Sequence, residues 1–222
     1  MTTINGYEIH TYADLSGADL SGQDLSGLDL YGSNLSGANL SGATCTNCDF
    51  QFANFDGANL TNTDFTDSLF RKADLQHSTV DGTNFTRCDF RESDLDGITI
   101  SNTNLTETRF FKTNLHGCRL LNNTMFDTLF VSAVIASADL ENQDFTSATF
   151  DGVDFFGTRF NGSNLSGTYI TNCELSQVDF TNTNLSGSRL SGSRITFANL
   201  IGAILDNVDL GSLREFRDNT QS

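Results

Sequence analysis

The chain has 222 residues, of which 37% are hydrophobic and 18% are charged, and it contains no proline. This balance is typical of a soluble globular protein and excludes a disordered chain. The 28 acidic and 12 basic residues give a net charge of −16, which repels nucleic acid phosphates and anionic lipids. We therefore expect no direct binding to nucleic acid or to a membrane.

The first residues and the cysteine content predict a cytoplasmic protein. No apolar run approaches the roughly 18 residues that a membrane-spanning helix needs. The start of the chain, Met1 to Gly6, lacks the basic and apolar regions of a signal peptide. Five cysteines are too sparse for a small disulfide-stapled domain, which favours a reducing compartment.

Residues 1–12 are predicted to form an N-terminal cap. An Asn5-Gly6 turn signal separates two short stretches with apolar side chains, which favours a hairpin. The side chains expected to cover the start of the following segment are Ile4, Tyr7, Ile9 and Tyr12.

Residues 13–212 are dominated by a period of five residues. A large apolar residue, which we call the central residue, occupies nearly every position divisible by five from Leu15 to Leu210, forty positions in all. The residue two before it is small in 35 of these 40 repeats, and the residue two after it is Gly or Asn in 25 of 40. Because Gly and Asn tolerate positive φ, each repeat should end in a tight turn. All the central residues are expected to be buried.

A period of five fits neither a straight strand nor a helix, so the chain must turn after each repeat. Two columns recur at intervals of twenty residues, and they comprise Phe50, Phe70, Phe90, Phe110, Phe130 and Phe150 together with Thr46, Thr66, Thr86 and Thr106. Twenty residues per coil predicts four sides. At an inter-strand spacing of about 4.8 Å, ten coils make a rod of about 48 Å.

The repeats Ala13-Asp14-Leu15-Ser16-Gly17 and Ala18-Asp19-Leu20-Ser21-Gly22 resemble those of the pentapeptide repeat family. The resemblance covers residues 13–212 and implies an all-β fold, a right-handed four-sided parallel β-helix of about ten coils with short terminal caps. The best understood members of the family are quinolone-resistance proteins that bind DNA gyrase as acidic mimics of duplex DNA. Many of those members carry a loop or a break between two half-solenoids, whereas the repeats here are predicted to form one uninterrupted domain.

Residues 213–222 are predicted to form a C-terminal cap or tail. Leu213 and Phe216 have the three-residue spacing of one or two helical turns, which could cover the last coil. The gyrase-binding members of the family dimerise end to end through C-terminal helices. The tail here is short, so a monomer and a homodimer through the C-terminal end both remain open.

The sequence gives no catalytic signal, and we expect no enzyme activity, no metal and no cofactor. His77 and His116 belong to the same side but lie two coils apart, roughly 10 Å, which is too far for one ion. Cys45 and Cys48 form a C-x-x-C pair without a second pair. All five cysteines occupy inward positions, where they are expected to be small buried side chains.

Two surfaces are candidates for binding a protein. The first is an acidic column on the side built on Leu15, Leu35 and Phe55, and its acidic members are Asp14, Asp74, Asp94, Asp154 and Glu174. The second is a predicted outward apolar patch of Phe111, Leu129, Val131 and Val134. Charge is also uneven along the chain, because residues 1–70 contain nine acidic residues and no Lys or Arg.

These features lead to two hypotheses for function. The first is a non-enzymatic acidic solenoid that binds a DNA-binding protein by mimicking duplex DNA, with DNA gyrase or another type II topoisomerase as the partner that the resemblance implies. The alternative is a scaffold that docks an unrelated protein through the apolar patch. Charge mimicry should weaken steeply as salt rises, whereas apolar docking should not.

Overall fold

The computed structural model describes residues 2–211 and 213–218, and this part of the chain contains strands and turns but no helix. The first two strands form a hairpin, seven short strands lie along the repeats, and two more pair at the C-terminal end. Their bounds are β1 Thr2–Ile4, β2 Tyr7–Ile9, β3 Val80–Asp81, β4 Thr99–Ser101, β5 Arg109–Phe111, β6 Arg119–Leu121, β7 Leu129–Val131, β8 Thr149–Asp151, β9 Tyr169–Thr171, β10 Arg194–Ala198 and β11 Glu215–Asp218.

The repeats form a parallel β-solenoid, as the sequence predicts. Parallel bridges join residues twenty positions apart, beginning with Asp14 and Asn34 and continuing to Arg189 and Asp209. A coil therefore contains four repeats and has four sides. We name each side after its first central residue, so the rod has a Leu15 side, a Leu20 side, a Leu25 side and a Leu30 side.

Backbone hydrogen bonds run both between coils and across the corners. The N–H of Leu15 donates to the carbonyl of Asn34 at 2.7 Å, and the N–H of Asn34 donates back to Ala13 at 2.9 Å. At the corner, the N–H of Ala18 donates to Leu15 at 3.0 Å, and Gly17 between them has φ of 66°. This is the positive φ that the Gly and Asn pattern predicts at the turn.

The core is a single stack of central residues. Every central residue from Leu15 to Ile195 is buried, and the predicted phenylalanine column is a stack of parallel rings. The centroids of Phe90 and Phe110 are 5.3 Å apart, and those of Phe110 and Phe130 are 4.9 Å apart. Many inward hydroxyls donate to carbonyls of the preceding coil, as when Thr108 donates to the carbonyl of Phe85 at 2.8 Å, whereas the buried Ser188 hydroxyl has no partner among the described residues.

The expectation that all central residues are buried is wrong for the last coil. Leu200 is only partly buried, and Leu205 and Leu210 are each 47% exposed. In the interior coils, each central residue has a coil on both sides of it along the axis, and at the first coil the N-terminal residues Ile4, Tyr7 and Ile9 pack against the core. The last central residues have a neighbouring coil on one side only, so their outer surface stays open.

The two ends differ from one another. At the start, β1 and β2 pair antiparallel, Ile9 lies in the core, and Ile4 and Tyr7 pack against it. At the end, the predicted helical turn is wrong, because β11 (Glu215–Asp218) pairs parallel with β10. The last coil presents unpaired backbone groups, which a strand can satisfy and a helix cannot. Residues 212 and 219–222 lie outside the described residues, and the division of the chain at residues 12 and 212 stays a prediction.

Candidate protein-binding surfaces

The acidic column is assembled in register on the Leu15 side. Bridges connect Asp74 to Asp94, Asp154 to Glu174, and Asp14 through two asparagines to Asp74. The five predicted residues therefore occupy one line of outward positions along the rod, each immediately before a central residue.

All five side chains also build the corners. One carboxylate oxygen of each accepts a hydrogen bond from the backbone N–H two residues later, at 3.2 Å for Asp14, 3.0 Å for Asp74, 3.1 Å for Asp94, 3.0 Å for Asp154 and 2.9 Å for Glu174. Asp14 is exposed, while the other four are half-buried. The column thus combines a structural role with an outward negative charge.

Charge along the column is partly compensated. Glu174 forms an ion pair with Arg194 at 3.2 Å. Asp94 accepts a hydrogen bond from the neutral Gln76 at 2.7 Å, which orients the carboxylate and leaves its charge in place. Two more exposed carboxylates on the same side, Asp56 and Asp96, were not singled out from the sequence. Each comes immediately after a central residue of this side, and this position in the repeat assigns them to the Leu15 side from the sequence alone.

The first coil carries an acidic ring that the single-column prediction does not include. Asp14, Asp19, Asp24 and Asp29 occupy equivalent positions on the four sides, and all four are exposed. Hydrogen bonds from Ser16, Ser21 and Ser26 hold the pKa of Asp14, Asp19 and Asp24, respectively, below the usual range. The negative charge of these three is therefore retained well below neutral pH.

The apolar patch is smaller than the sequence predicts. Phe111, Leu129 and Val131 lie together on the Leu30 side, where β5 pairs with β7, and they line a surface depression of about 400 Å³. Phe111 is 37% exposed and Leu129 is 39% exposed. We call these three residues the apolar patch from here on.

Val134 was wrongly included in the patch. It lies on the Leu15 side, in the acidic column, between Asn114 and Asp154. The chain turns between Val131 and Val134 at Ser132, which has φ of 52°. Residues three apart in sequence therefore belong to different faces of the rod.

The sequence interpretation also missed the basic residues around the patch. Arg91 and Arg109 line the same depression as Phe111, and Lys112 lies over the Phe111 ring at 5.4 Å from its centroid. The signal was available, because residues twenty apart share a column. Arg71, Arg91 and Phe111 stand in one such column.

All five cysteines are free and buried. Burial raises the pKa of Cys48 to about 11 and that of Cys118 and Cys173 to about 12, so these thiols are protonated at neutral pH. Across residues 2–211 and 213–218, no group of three His, Cys, Asp or Glu side chains has the proximity needed to hold a metal ion. In the same part of the chain, no helix has the length and apolar character to cross a membrane.

Two family models match the chain. The model for pentapeptide repeats (8 copies) matches residues 13–44, 88–120, 133–172 and 173–211, and that for the pentapeptide repeat region matches residues 29–100. Together these matches cover most of the solenoid. No curated protein gave a significant match.

Several solved structures are similar to the chain. A pentapeptide repeat protein from the Arabidopsis thaliana thylakoid lumen is 28% identical over 44% of this chain and 68% of its own, with a TM-score of 0.43. HetL from Nostoc, involved in the regulation of heterocyst differentiation, is 20% identical over 87% of this chain and 88% of its own, with a TM-score of 0.33. QnrB1, a plasmid-mediated fluoroquinolone resistance protein, is 23% identical over 84% of this chain and 91% of its own, with a TM-score of 0.38.

Proposed function

This chain belongs to the pentapeptide repeat family, and on that premise we propose that it is a non-enzymatic cytoplasmic protein whose acidic rod binds a DNA-binding protein as duplex DNA would. DNA gyrase is the candidate partner, because the family resemblance implies it. A saddle lined with Lys and Arg would gain long-range steering and counterion release from such a rod.

The observation that carries this proposal is the acidic ring of the first coil. Its four exposed carboxylates lie within a stretch, residues 1–70, that has nine acidic residues and no Lys or Arg. No Lys or Arg side chain within that stretch offsets the field around this end of the rod. The charge is therefore presented on every side of the solenoid rather than on one face, as it is around a DNA duplex.

The test is inhibition of gyrase supercoiling, measured against protein concentration at low and at physiological salt. We expect inhibition at micromolar protein that weakens as salt rises. Replacing the ring, Asp14, Asp19, Asp24 and Asp29, by Asn should weaken inhibition several-fold. Asn preserves the corner, since Asn34 and Asn54 already accept the same backbone hydrogen bond at 3.2 and 2.8 Å. A column variant, with Asn at Asp74, Asp94 and Asp154, tests the contribution of the Leu15 side.

A control removes four carboxylates from the C-terminal part of the rod, with Asn at Asp144, Asp151, Asp206 and Asp209. A smaller loss in this control than in the ring variant would support a contact at the first coil. No inhibition by the unmodified protein at low salt would exclude gyrase. If the degree of inhibition changes neither with salt nor with the Asp→Asn substitutions, charge mimicry is excluded.

The alternative function is a scaffold that docks an unrelated protein, and the exposed apolar patch favours it. Phe111 and Leu129 are partly exposed beside a depression, and such clusters on soluble proteins commonly mark contacts. Binding through this patch should resist salt, which separates it from binding through the acidic ring.

A further inference from the structure

The Leu30 side carries a basic belt in an otherwise acidic molecule. Its members are Arg71, Lys72, Arg91, Arg109 and Lys112, which are five of the 12 basic residues of the chain. Arg71, Arg91 and Arg109 flank central residues of this side, and Lys72 and Lys112 stand at its adjoining corner. Asp89 and Glu92 are the acidic residues among them, so positive charge is in excess.

Part of the belt is fixed by internal ion pairs. Asp89 is buried and binds both Arg71 at 2.8 Å and Arg91 at 2.5 Å. Lys72 pairs with Glu92 at 3.5 Å. Within residues 2–211 and 213–218, Arg109 and Lys112 pair with no carboxylate, and both are exposed. Their charge is therefore available to a partner.

The belt surrounds an apolar floor. The depression of about 400 Å³ over the apolar patch has Arg91 in its wall, and so does a second depression of about 270 Å³, which is also lined by Phe52 and Lys72. Lysine nitrogens lie 5.4 Å from the ring centroids of both Phe52 and Phe111. Positively charged side chains thus lie beside the exposed aromatic rings of Phe52 and Phe111 along several successive coils.

We propose that this face binds a short acidic segment of a partner protein, with an aromatic or aliphatic side chain of the segment seated on the apolar patch. Carboxylates of the segment would pair with Arg109 and Lys112. From Phe52 to Val131 the face crosses four coil spacings, about 19 Å, which is the length of about six residues of extended peptide.

The surroundings of the belt limit the length and kind of its ligand. Residues 1–70 are acidic without a base, and residues 120–222 carry twelve acidic residues against five basic ones. A nucleic acid, with one negative charge per about 1.7 Å of duplex, would extend beyond the belt onto these acidic ends. A second copy in a two-fold dimer would place the belt against itself, where like charges repel. A short acidic segment fits within the belt without reaching the acidic ends, and its charge is opposite to that of the belt.

This inference rests on the alternative function above and is independent of gyrase. The test uses fluorescein-labelled peptides of about eight residues, slightly longer than the face. One peptide alternates Asp or Glu with Phe or Leu. A second replaces its acids by Lys and Arg, and a third replaces its apolar residues by Ser. Fluorescence anisotropy should show the strongest binding for the acidic-apolar peptide.

Two variants test the charge and the floor separately. Removing both free cations, Arg109→Gln with Lys112→Gln, should weaken binding about fivefold to tenfold, as expected for two partly exposed ion pairs. Leu129→Ser should also weaken binding by removing apolar contact. The control is Arg119→Gln with Arg159→Gln, which removes the same formal charge from the Leu20 side, where both arginines pair with Asp139, and should leave binding unchanged. Thermal unfolding of each variant checks that the rod is intact.

Other outcomes would overturn the inference in distinguishable ways. If the basic-apolar peptide binds as well as the acidic one, the face docks peptides through its apolar patch, and the proposal that the partner segment is acidic is wrong. If a labelled dT oligonucleotide binds more tightly than any peptide, the face takes nucleic acid. Self-association in sedimentation that the Arg109 and Lys112 changes abolish would assign the face to a second copy. No binding of any peptide would overturn this inference, while the alternative function, docking of a folded partner on the apolar patch, would still stand.

Discussion

Asp89 is a buried carboxylate of the described part of the chain, and its charge is held there by two arginines. Burial by itself opposes ionisation, but hydrogen bonds from Arg91 and Arg71 outweigh it and lower the pKa of Asp89 below its usual range. The same carboxylate also accepts the backbone N–H of Arg91 at 3.2 Å. One side chain therefore fixes a corner and orients two members of the basic belt.

Asp89→Asn should destabilise the protein at neutral pH by about 1–3 kcal/mol, because hydrogen bonds to a charged group are lost. A carboxylate with a lowered folded pKa contributes stability above its unfolded pKa, about 3.9, and that contribution is lost as pH falls through the folded pKa. The difference in the free energy of unfolding between the unmodified protein and Asp89→Asn should therefore become smaller at acid pH. Urea unfolding at pH 7 and at pH 3 measures it.

The control for this prediction is Asp127→Asn, because Asp127 is exposed. Its effect should stay within about 0.5 kcal/mol. A difference between unmodified protein and Asp89→Asn that grows toward low pH would contradict the assigned role of the carboxylate.

At the scale of the elements, the stacked strands β5, β7 and β8 place three phenylalanine rings in one column. Phe110 is 1% exposed and lies between Phe90 and Phe130. Each ring fills the space between its neighbours, so the column is continuous across coils. A cavity at one ring therefore removes contacts from two adjacent coils.

Phe110→Ala should lower the free energy of unfolding by about 3–5 kcal/mol, since a large buried ring is replaced by a cavity. Phe126→Ala is the matched control, because Phe126 is 57% exposed. Equilibrium denaturation of both variants gives the comparison. A cost below about 1 kcal/mol at Phe110 would show that the column contributes little to stability.

The repeat period was enough to predict the solenoid, its four sides and the register of Phe110 on Phe130. The period of twenty also assigns each outward residue to a side, and Val134 was misplaced because nearness in sequence was given more weight than its column. The strand at Glu215–Asp218 was not predictable from the spacing of Leu213 and Phe216. It depends on the open backbone edge of the last coil, which exists only once the solenoid is folded.

At the scale of the whole molecule, the C-terminal end of the core is only partly covered by residues 2–211 and 213–218, of which Leu213 packs against it. A depression of about 150 Å³ lies there, lined by central residues that include Leu205 and Leu210. Ile201 and Ile204 nearby are 71% and 48% exposed. A partly exposed apolar end on a rod is a surface through which two copies can associate end to end.

We expect a homodimer through this end, and Leu210→Lys should shift it to monomer by placing a charge in the contact. Phe126→Lys, at an exposed apolar position several coils away from this end, is the control and should remain dimeric. Sedimentation equilibrium over a range of concentrations gives both states. An unmodified protein that stays monomeric at the highest concentration would rule out the dimer.

The unbroken twenty-residue register has a consequence for how such a gene can change. Duplicating or deleting twenty residues lengthens or shortens the rod by one coil and leaves every later column on its own face. An insertion of five residues preserves the repeat equally well, but it rotates everything downstream by a quarter turn about the axis. Insertions or deletions in multiples of five residues thus preserve the inward positions of the core. Only multiples of twenty also preserve the direction in which the basic belt faces, about the rod axis, relative to the first coil.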